Sequence, residues 1–195
     1  MTVTRIAPSP SGWLHVGNAV NFLLTDWAAG PQGRIRLRID DLGLAVADRH
    51  LADIFWAVGW LGIPLAGGPR DAADFVAHHR QGARLDRYRS AGGALGPEWV
   101  YACSCSRTDV ARRPVTTPDP CRDLALPLEP GHTALRFRTA DGPPPGPATA
   151  NALAALGLTR AGIAAEMGDF VVWRRDDLPA YQLVSMIDDT DQGST

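Results

Sequence analysis

The apolar positions change their period twice between Val3 and Asp40. Val3 to Ala7 is a short mixed run that ends at Pro8-Ser9-Pro10-Ser11-Gly12, a string of turn-favouring residues, so a strand feeding a rigid loop is predicted. From Leu14 the apolar residues Val16, Ala19, Val20, Leu23, Leu24 and Trp27 recur at helical spacing until Gly30-Pro31 stops them. Arg34 to Asp40 then alternates Ile35, Leu37 and Ile39 with Arg34, Arg36 and Arg38, the period-two pattern of a strand with one polar face. Strand, helix, strand is one βαβ unit, and such crossovers build parallel sheets. The fold class predicted is α/β with a doubly wound parallel sheet.

Further along, Leu51, Ile54, Phe55, Val58 and Leu61 mark a second amphipathic helix stopped by Gly62. Phe75 through Leu95 reads as a third, more polar helix, and Val100 to Cys103 as another strand. The composition changes between Cys103 and Pro147, where prolines and three cysteines precede the run Gly142-Pro143-Pro144-Pro145-Gly146-Pro147. That run holds neither a helix nor a central strand. The expected organisation is a first half of a nucleotide-binding domain over 1–102, a small inserted Cys-containing subdomain over 103–147, and the start of a second half over 148–195. In that last part a helix is predicted near Ala148 to Leu156, a strand at Asp169 to Arg174 and a helix at Ala180 to Asp188.

Composition narrows the classes. The chain has 195 residues, 45% apolar and 21% charged, enough for a buried core and far from the signature of disorder. A net charge of −2 provides no global basic field, so any RNA contact must come from a local patch. All 19 basic residues are Arg, which removes every lysine mechanism. Three cysteines make no disulfide framework, no signal-peptide pattern opens the chain, and no apolar run approaches the roughly 20 residues of a membrane helix. A reducing, cytoplasmic setting without membrane contact, and a monomer, are the expectations.

The first loop has chemical meaning. It delivers His15 and Gly17 to the first turn of a helix directly after the first strand, where open α/β sheets bind ligands and a helix N-terminus offers free N–H groups to phosphates. Glycine there permits close approach to a nucleotide.

The segment Leu14-His15-Val16-Gly17 resembles the "HIGH" motif of class I aminoacyl-tRNA synthetases, and Arg5-Ile6-Ala7-Pro8-Ser9-Pro10-Ser11-Gly12 before it is similar to the glutamyl branch. The resemblance continues through Leu37-Arg38-Ile39-Asp40-Asp41-Leu42, Trp60-Leu61-Gly62, Tyr101-Ala102-Cys103-Ser104-Cys105-Ser106-Arg107, Asp169-Phe170-Val171-Val172 and Ala180-Tyr181-Gln182-Leu183. It covers essentially the whole chain. The short insert, with Cys103-x-Cys105 followed by Cys121-Arg122-Asp123-Leu124, looks most like glutamyl-queuosine tRNA(Asp) synthetases, compact paralogues without anticodon-binding domains.

The resemblance implies a Rossmann-like class I synthetase catalytic domain. It also implies ATP- and Mg2+-dependent activation of glutamate and its transfer to the queuosine base of tRNA(Asp). By the same resemblance His15 and Gly17 are catalytic, and His15, Gly17 and Asn18 bind ATP. Arg5, Ala7, Ser9, Asp40 and Tyr181 bind glutamate, with Asp40 standing where the family usually has Glu. Cys103, Cys105 and Cys121 match the family's structural zinc site. Three thiolates need a fourth ligand. The family commonly has Tyr where this chain has Thr117, so water, Asp119 or His132 could complete the site, or the cysteines are simply buried.

The family would continue past Asp188-Asp189-Thr190-Asp191-Gln192-Gly193-Ser194-Thr195 into another strand, a further glutamate-binding Arg and a Lys-containing "KMSKS"-like loop. The expectation is a fragment of a longer product, weakly active on its own. The alternatives are the N-terminal catalytic part of an ordinary glutamyl-tRNA synthetase and a non-catalytic nucleotide- or RNA-binding remnant.

Overall fold

The computed structural model describes residues 2–114, 119–143 and 153–194. Of the helix predicted near Ala148 to Leu156, the start lies outside the described residues and 153–155 are helical. Thr117 and the proline run beyond residue 143 also lie outside them. The chain divides into two compact units, Met1–Asp86 with Ile187–Thr195, and Arg87–Met186.

The first unit is built on the predicted βαβ. Strand β1 (Val3–Ile6) pairs in parallel with β2 (Arg34–Leu37), Val3 opposite Arg34 and Ile6 opposite Leu37. Helix α1 (Val16–Ala29) lies between them in sequence. The chain keeps this pairing past the strand ends: the Arg38 N–H donates to the Ile6 carbonyl at 3.0 Å and the Asp40 N–H to the Pro8 carbonyl at 3.0 Å. The first loop and the segment 38–40 are thereby fixed side by side at the carboxyl edge of the sheet.

A third parallel strand, β3 (Leu65–Gly67), completes the order β1-β2-β3. Three residues ending in Gly carry too little alternation to be seen in the sequence.

The core of this unit joins Ile6, Ile35, Leu37 and Ile39 from the sheet side to Leu51, Ile54 and Val58 of α2 (Asp48–Trp60) and Phe75 of α3 (Ala72–His78). Each such fully buried side chain stabilises by roughly 1.5–3 kcal/mol. Helix α1 contributes Phe22, whereas Val16, Leu24 and Trp27 stand 78%, 56% and 81% exposed. The apolar stripe that announced α1 therefore is not the face it buries among the described residues.

The single helix predicted over 75–95 is broken. α3 is capped by Asp71, whose side chain accepts from the Asp74 N–H at 2.8 Å, and it ends at His79. A 3-10 turn, Gln81–Arg84, and α4 (Leu85–Gly93) follow. The break has a cause in Gln81, which is drawn inward: its N–H donates to Asp41 at 2.9 Å and its side-chain oxygen accepts from the Leu42 N–H at 3.0 Å.

The second unit differs from the expected parallel arrangement. The predicted strands near 100–103 and 169–174 are present as β4 (Val100–Cys103) and β6 (Phe170–Trp173). Between them lies β5 (Ala134–Phe137), and the sheet β4-β5-β6 is antiparallel, Val100 opposite Phe137 and Cys103 opposite Ala134. β5 is hidden in the sequence by the proline- and turn-rich stretch around it. Antiparallel pairing needs no helical crossover between neighbouring strands. Short helices α5 (Arg107–Ala111) and α6 (Arg160–Met167), a 3-10 turn at Pro120–Asp123, and α7 (Tyr181–Asp191) complete the described elements.

Gly68 follows β3 with φ +102, and a Cβ there would stand 2.0 Å from the carbonyl oxygen of the fully buried Leu37. Gly62 has φ +68 with open space around it. In urea unfolding Gly68→Ala is expected to cost about 3 kcal/mol or more, the sum of strain and clash, and Gly62→Ala only about 1–2 kcal/mol.

Candidate functional site

In the first loop Pro8 and Pro10 are buried while Ser9 is exposed and Ala7 half-buried, so the extended backbone alternates inward and outward. Fixed proline φ angles make that course stiff. The Leu14 N–H donates to Asp53 Oδ2 of α2 at 2.8 Å, which anchors the far end of the loop. Asp53 carries no motif and was invisible to sequence reasoning.

His15 is the N-cap of α1, with φ −130 and ψ 172. Its Nδ1 accepts from the Gly17 N–H at 3.1 Å, and Asn18 Oδ1 accepts from the His15 N–H at 3.0 Å. This is a reciprocal capping box in which an imidazole replaces the usual hydroxyl. A ring nitrogen that accepts carries no proton, so the neutral ring holds its proton on Nε2, a donor on an exposed side chain. A Cβ on Gly17 would lie 3.0 Å from both Cε1 and Nδ1 of His15. Glycine at this position gives the capping ring its room. The predicted His15, Gly17 and Asn18 thus meet at one helix N-terminus, at the carboxyl edge of a parallel sheet.

Arg5 lies on β1, and its Nε and Nη2 donate to Asp189 Oδ1 and Oδ2 at 2.9 and 3.0 Å. The guanidinium holds a carboxylate side-on, in the bidentate geometry suited to that group. Arg38 reaches the same Asp189 and also donates from Nε to Asp40 at 2.7 Å. Asp40, 6% exposed, further accepts from Gln81 Nε2 at 3.0 Å, and that amide also donates to Asp188 at 2.9 Å. Arg84 pairs with Asp188 at 3.1 Å. Burial raises the Asp40 carboxyl above its ordinary range, against the opposing pull of Arg38. Burial lowers Arg38, but Asp40 and then Asp189 and Asp188 outweigh it, and the guanidinium ends above its ordinary value. Arg38, Gln81, Arg84, Asp188 and Asp189 were not anticipated as site residues. Their only sequence signals were an alternating strand position and a pair of adjacent acids.

The other unit holds Tyr181, which is 61% exposed. It lines a cavity of about 930 Å³ with Cys103, Cys105, Arg136, Arg174 and Arg175.

Near that cavity the three predicted cysteines come together. Cys105 and Cys121 Sγ are 3.7 Å apart, and one ligand atom from each of Cys103, Cys105, Cys121 and Asp119 lies within 4.8 Å of all the others. Tetrahedral zinc with sulfur bonds of about 2.3 Å places its sulfurs about 3.8 Å apart. The donor set therefore fits such an ion. Burial, followed by the Asp119 carboxylate, pushes the Cys103 thiol up. Burial opposes ionisation of Cys121 too, yet hydrogen bonds from the Ser104 backbone, Cys105 and Cys103 bring it below the ordinary thiol value. His132 is exposed and stands outside this cluster.

Beside the cluster Asp169 accepts from Tyr101 Oη at 2.8 Å, from Arg122 Nε and Nη2 at 2.6 and 2.9 Å, and from the Thr139 N–H at 3.1 Å. Burial favours its protonated form, but Arg122, Tyr101 and Thr139 outweigh burial and hold the carboxyl below the usual range.

Residues 1–111 match the catalytic domain of class I tRNA synthetases (E and Q). The chain belongs to this family. The glutamate–tRNA ligase of Symbiobacterium thermophilum is 33% identical over 218 residues, covering 100% of this chain and 43% of that protein. The glutamyl-Q tRNA(Asp) synthetase of Rhodobacter capsulatus is 33% identical over 221 residues, covering 99% of this chain and 74% of that protein. The crystal structure of the glutamate–tRNA synthetase of Elizabethkingia anophelis shares the fold with a TM-score of 0.65 at 20% identity, over 100% of this chain and 43% of that one. Relative to the ligase from Symbiobacterium, the chain spans less than half of the protein's length. The predicted α/β class I synthetase fold with a parallel sheet stands. Among the described residues no helix is long and apolar enough to cross a membrane.

The depressed Asp169 carboxyl gives a pH prediction. Its contribution to stability is complete above the unfolded carboxyl value of about 3.9 and is lost as the pH falls through its lower folded value. Melting temperature should fall on acidification from about pH 5 toward pH 3, and Asp169→Asn should lower stability at neutral pH while flattening that slope. An unchanged slope in the variant would contradict the assignment.

Proposed function

We propose that this chain forms the glutamate-activating part of a ligase that joins glutamate to AMP and hands it to a tRNA. The observation that carries this reading is the exposed His15 imidazole at the N-terminus of α1, its Nδ1 engaged by Gly17 and its Nε2 proton free to donate.

Activation is attack by a glutamate carboxylate oxygen on the α-phosphorus of ATP. A new phosphorus–oxygen bond forms, the bond to the bridging oxygen breaks, and pyrophosphate leaves. No protein nucleophile is needed, so catalysis lies in positioning and charge stabilisation. His15 Nε2 donates to phosphate oxygens as charge builds there, beside the free N–H groups of the helix start. Gly17 and Asn18 keep the capping ring in place and border the nucleotide; Mg2+ accompanies the triphosphate. Arg5 takes a substrate carboxylate in the fork that now holds Asp189, with Ala7 and Ser9 presented on the same outward edge of the loop. Asp40, held by Arg38 and Gln81, sets the charge of the neighbouring wall, and Tyr181 belongs to the amino-acid side. Cys103, Cys105 and Cys121 hold one structural zinc that braces the insert and takes no part in the chemistry.

For the acceptor we favour the queuosine base of tRNA(Asp), because the short Cys-containing insert suits the compact paralogues named glutamyl-Q tRNA(Asp) synthetases better than the ordinary ligases. The setting is cytoplasmic and the working form a monomer.

Glutamate-dependent ATP–pyrophosphate exchange, measured on the protein that carries this chain, tests the activation step. His15→Ala should lower the rate by about 100-fold, the loss expected for one transition-state donor, and Arg5→Ala should raise the glutamate KM. Absence of exchange would favour a non-catalytic nucleotide- or RNA-binding module. Glutamate label retained on queuosine-bearing tRNA(Asp) but not on its unmodified transcript supports the acceptor; label on unmodified tRNA(Glu) supports an ordinary glutamyl-tRNA ligase instead.

A further inference from the structure

We infer that Asp119 is the fourth ligand of the cysteine cluster, and that Arg113 and Arg136 balance the charge of the Cys3Asp zinc site it completes. This rests on the zinc reading of the cluster and is independent of the ligase reading.

Asp119 does two things at once. As the N-cap of the 3-10 turn Pro120–Asp123 its Oδ1 accepts from the Cys121 N–H at 2.9 Å, which folds the turn so that Cys121 faces the other two thiols. Its Oδ2, not used in the cap, lies 3.4 Å from Cys103 Sγ. Cys103, Cys121 and Asp119 are 2%, 3% and 7% exposed. Once the three thiols ionise, they and the carboxylate repel one another strongly in so dry a place unless a cation lies among them. His132, the other side chain that could have closed the site, is exposed and outside the group of ligand atoms.

The charges then close. Three thiolates, one carboxylate and Zn2+ leave two negative charges, and two guanidinium groups face them. Arg113 Nη2 donates to Cys105 Sγ at 3.4 Å and its Nη1 lies 3.5 Å from Asp119 Oδ2. Arg136 Nε lies 3.5 Å from the same oxygen and, though buried, makes no hydrogen bond among the described residues. The Arg136 contact is an ion pair without a hydrogen bond, so this guanidinium supplies charge beside the carboxylate. A Cys3His site would leave only one negative charge and would not need both arginines.

The test is metal binding by the whole chain after stripping with chelator. Zinc is titrated against a competing indicator, and Co2+ is added as an optical probe of the ligand set. The expected result is one ion per chain, with sulfur-to-cobalt charge transfer of three-thiolate intensity. Asp119→Ala should weaken binding by about 100-fold, a loss at the upper end of that caused by removing a mere supporting residue. Asp119→Cys should restore tight binding and add a fourth thiolate to the charge-transfer band, a readout that holds even if the Ala variant folds poorly. Thr117→Ala and His132→Ala should leave affinity and visible bands unchanged. If Asp119→Ala keeps the parental affinity and spectrum while Cys121→Ser abolishes both, the ligand assignment is wrong and the zinc reading survives. Failure of Asp119→Cys to bind also overturns the assignment. If the unaltered chain binds neither ion, both fall, and the exchange assay remains a separate question.

Discussion

A hydrogen bond from the Gly17 amide to the Nδ1 of His15 sets the terms for the first unit's chemistry. It satisfies one of the orphan donors at the start of α1, and in doing so it dictates which ring nitrogen keeps the proton. A serine at this cap would stabilise the helix as well and offer nothing outward. With histidine the capping interaction and the presentation of a donor become one arrangement. The rest of the loop serves it: two inward prolines fix the path from β1, and Asp53 holds the Leu14 amide. The continued pairing of Arg38 with Ile6 and Asp40 with Pro8 keeps the loop against the sheet.

Charge is the second constraint. Arg5, Arg38 and Arg84 share the acids Asp40, Asp188, Asp189 and Asp191, so the guanidinium groups at the sheet edge are held in fixed orientations by carboxylates of the chain itself. Breaking such a pair by removing one member is costly when the other stays buried, which is why this network orders the region. In the second unit Asp169 plays the comparable part, drawing Tyr101, Arg122 and the Thr139 amide together beside the cysteines.

Much of the first unit could be read from residue order because its signals are local. Period-two alternation at Ile35, Leu37 and Ile39 and the proline-rich stop after β1 act within a few residues. The apolar stripe of α1 located the helix and misjudged its buried side, since Phe22 faces the core while Trp27 does not. The break between α3 and α4 was hidden because it depends on Gln81 reaching Asp41 and Leu42, some 40 positions earlier in the chain. The antiparallel β4-β5-β6 sheet was hidden for a related reason: four residues of β5 carry no pattern until their partners are known. At the sites, motif residues such as His15, Gly17 and the three cysteines were legible. Their supports Asp53, Asp189, Arg113 and Arg136 were not, because a supporting residue is defined by contact and carries no spacing of its own.

The arrangement at the start of α1 depends on which nitrogen of one imidazole carries the proton. Nitrogen-15 NMR of the neutral ring reports it. The structure predicts an unprotonated Nδ1 and a protonated Nε2 for His15. A ring found with its proton on Nδ1 would remove both the cap and the outward donor, and would rule out the role given to His15.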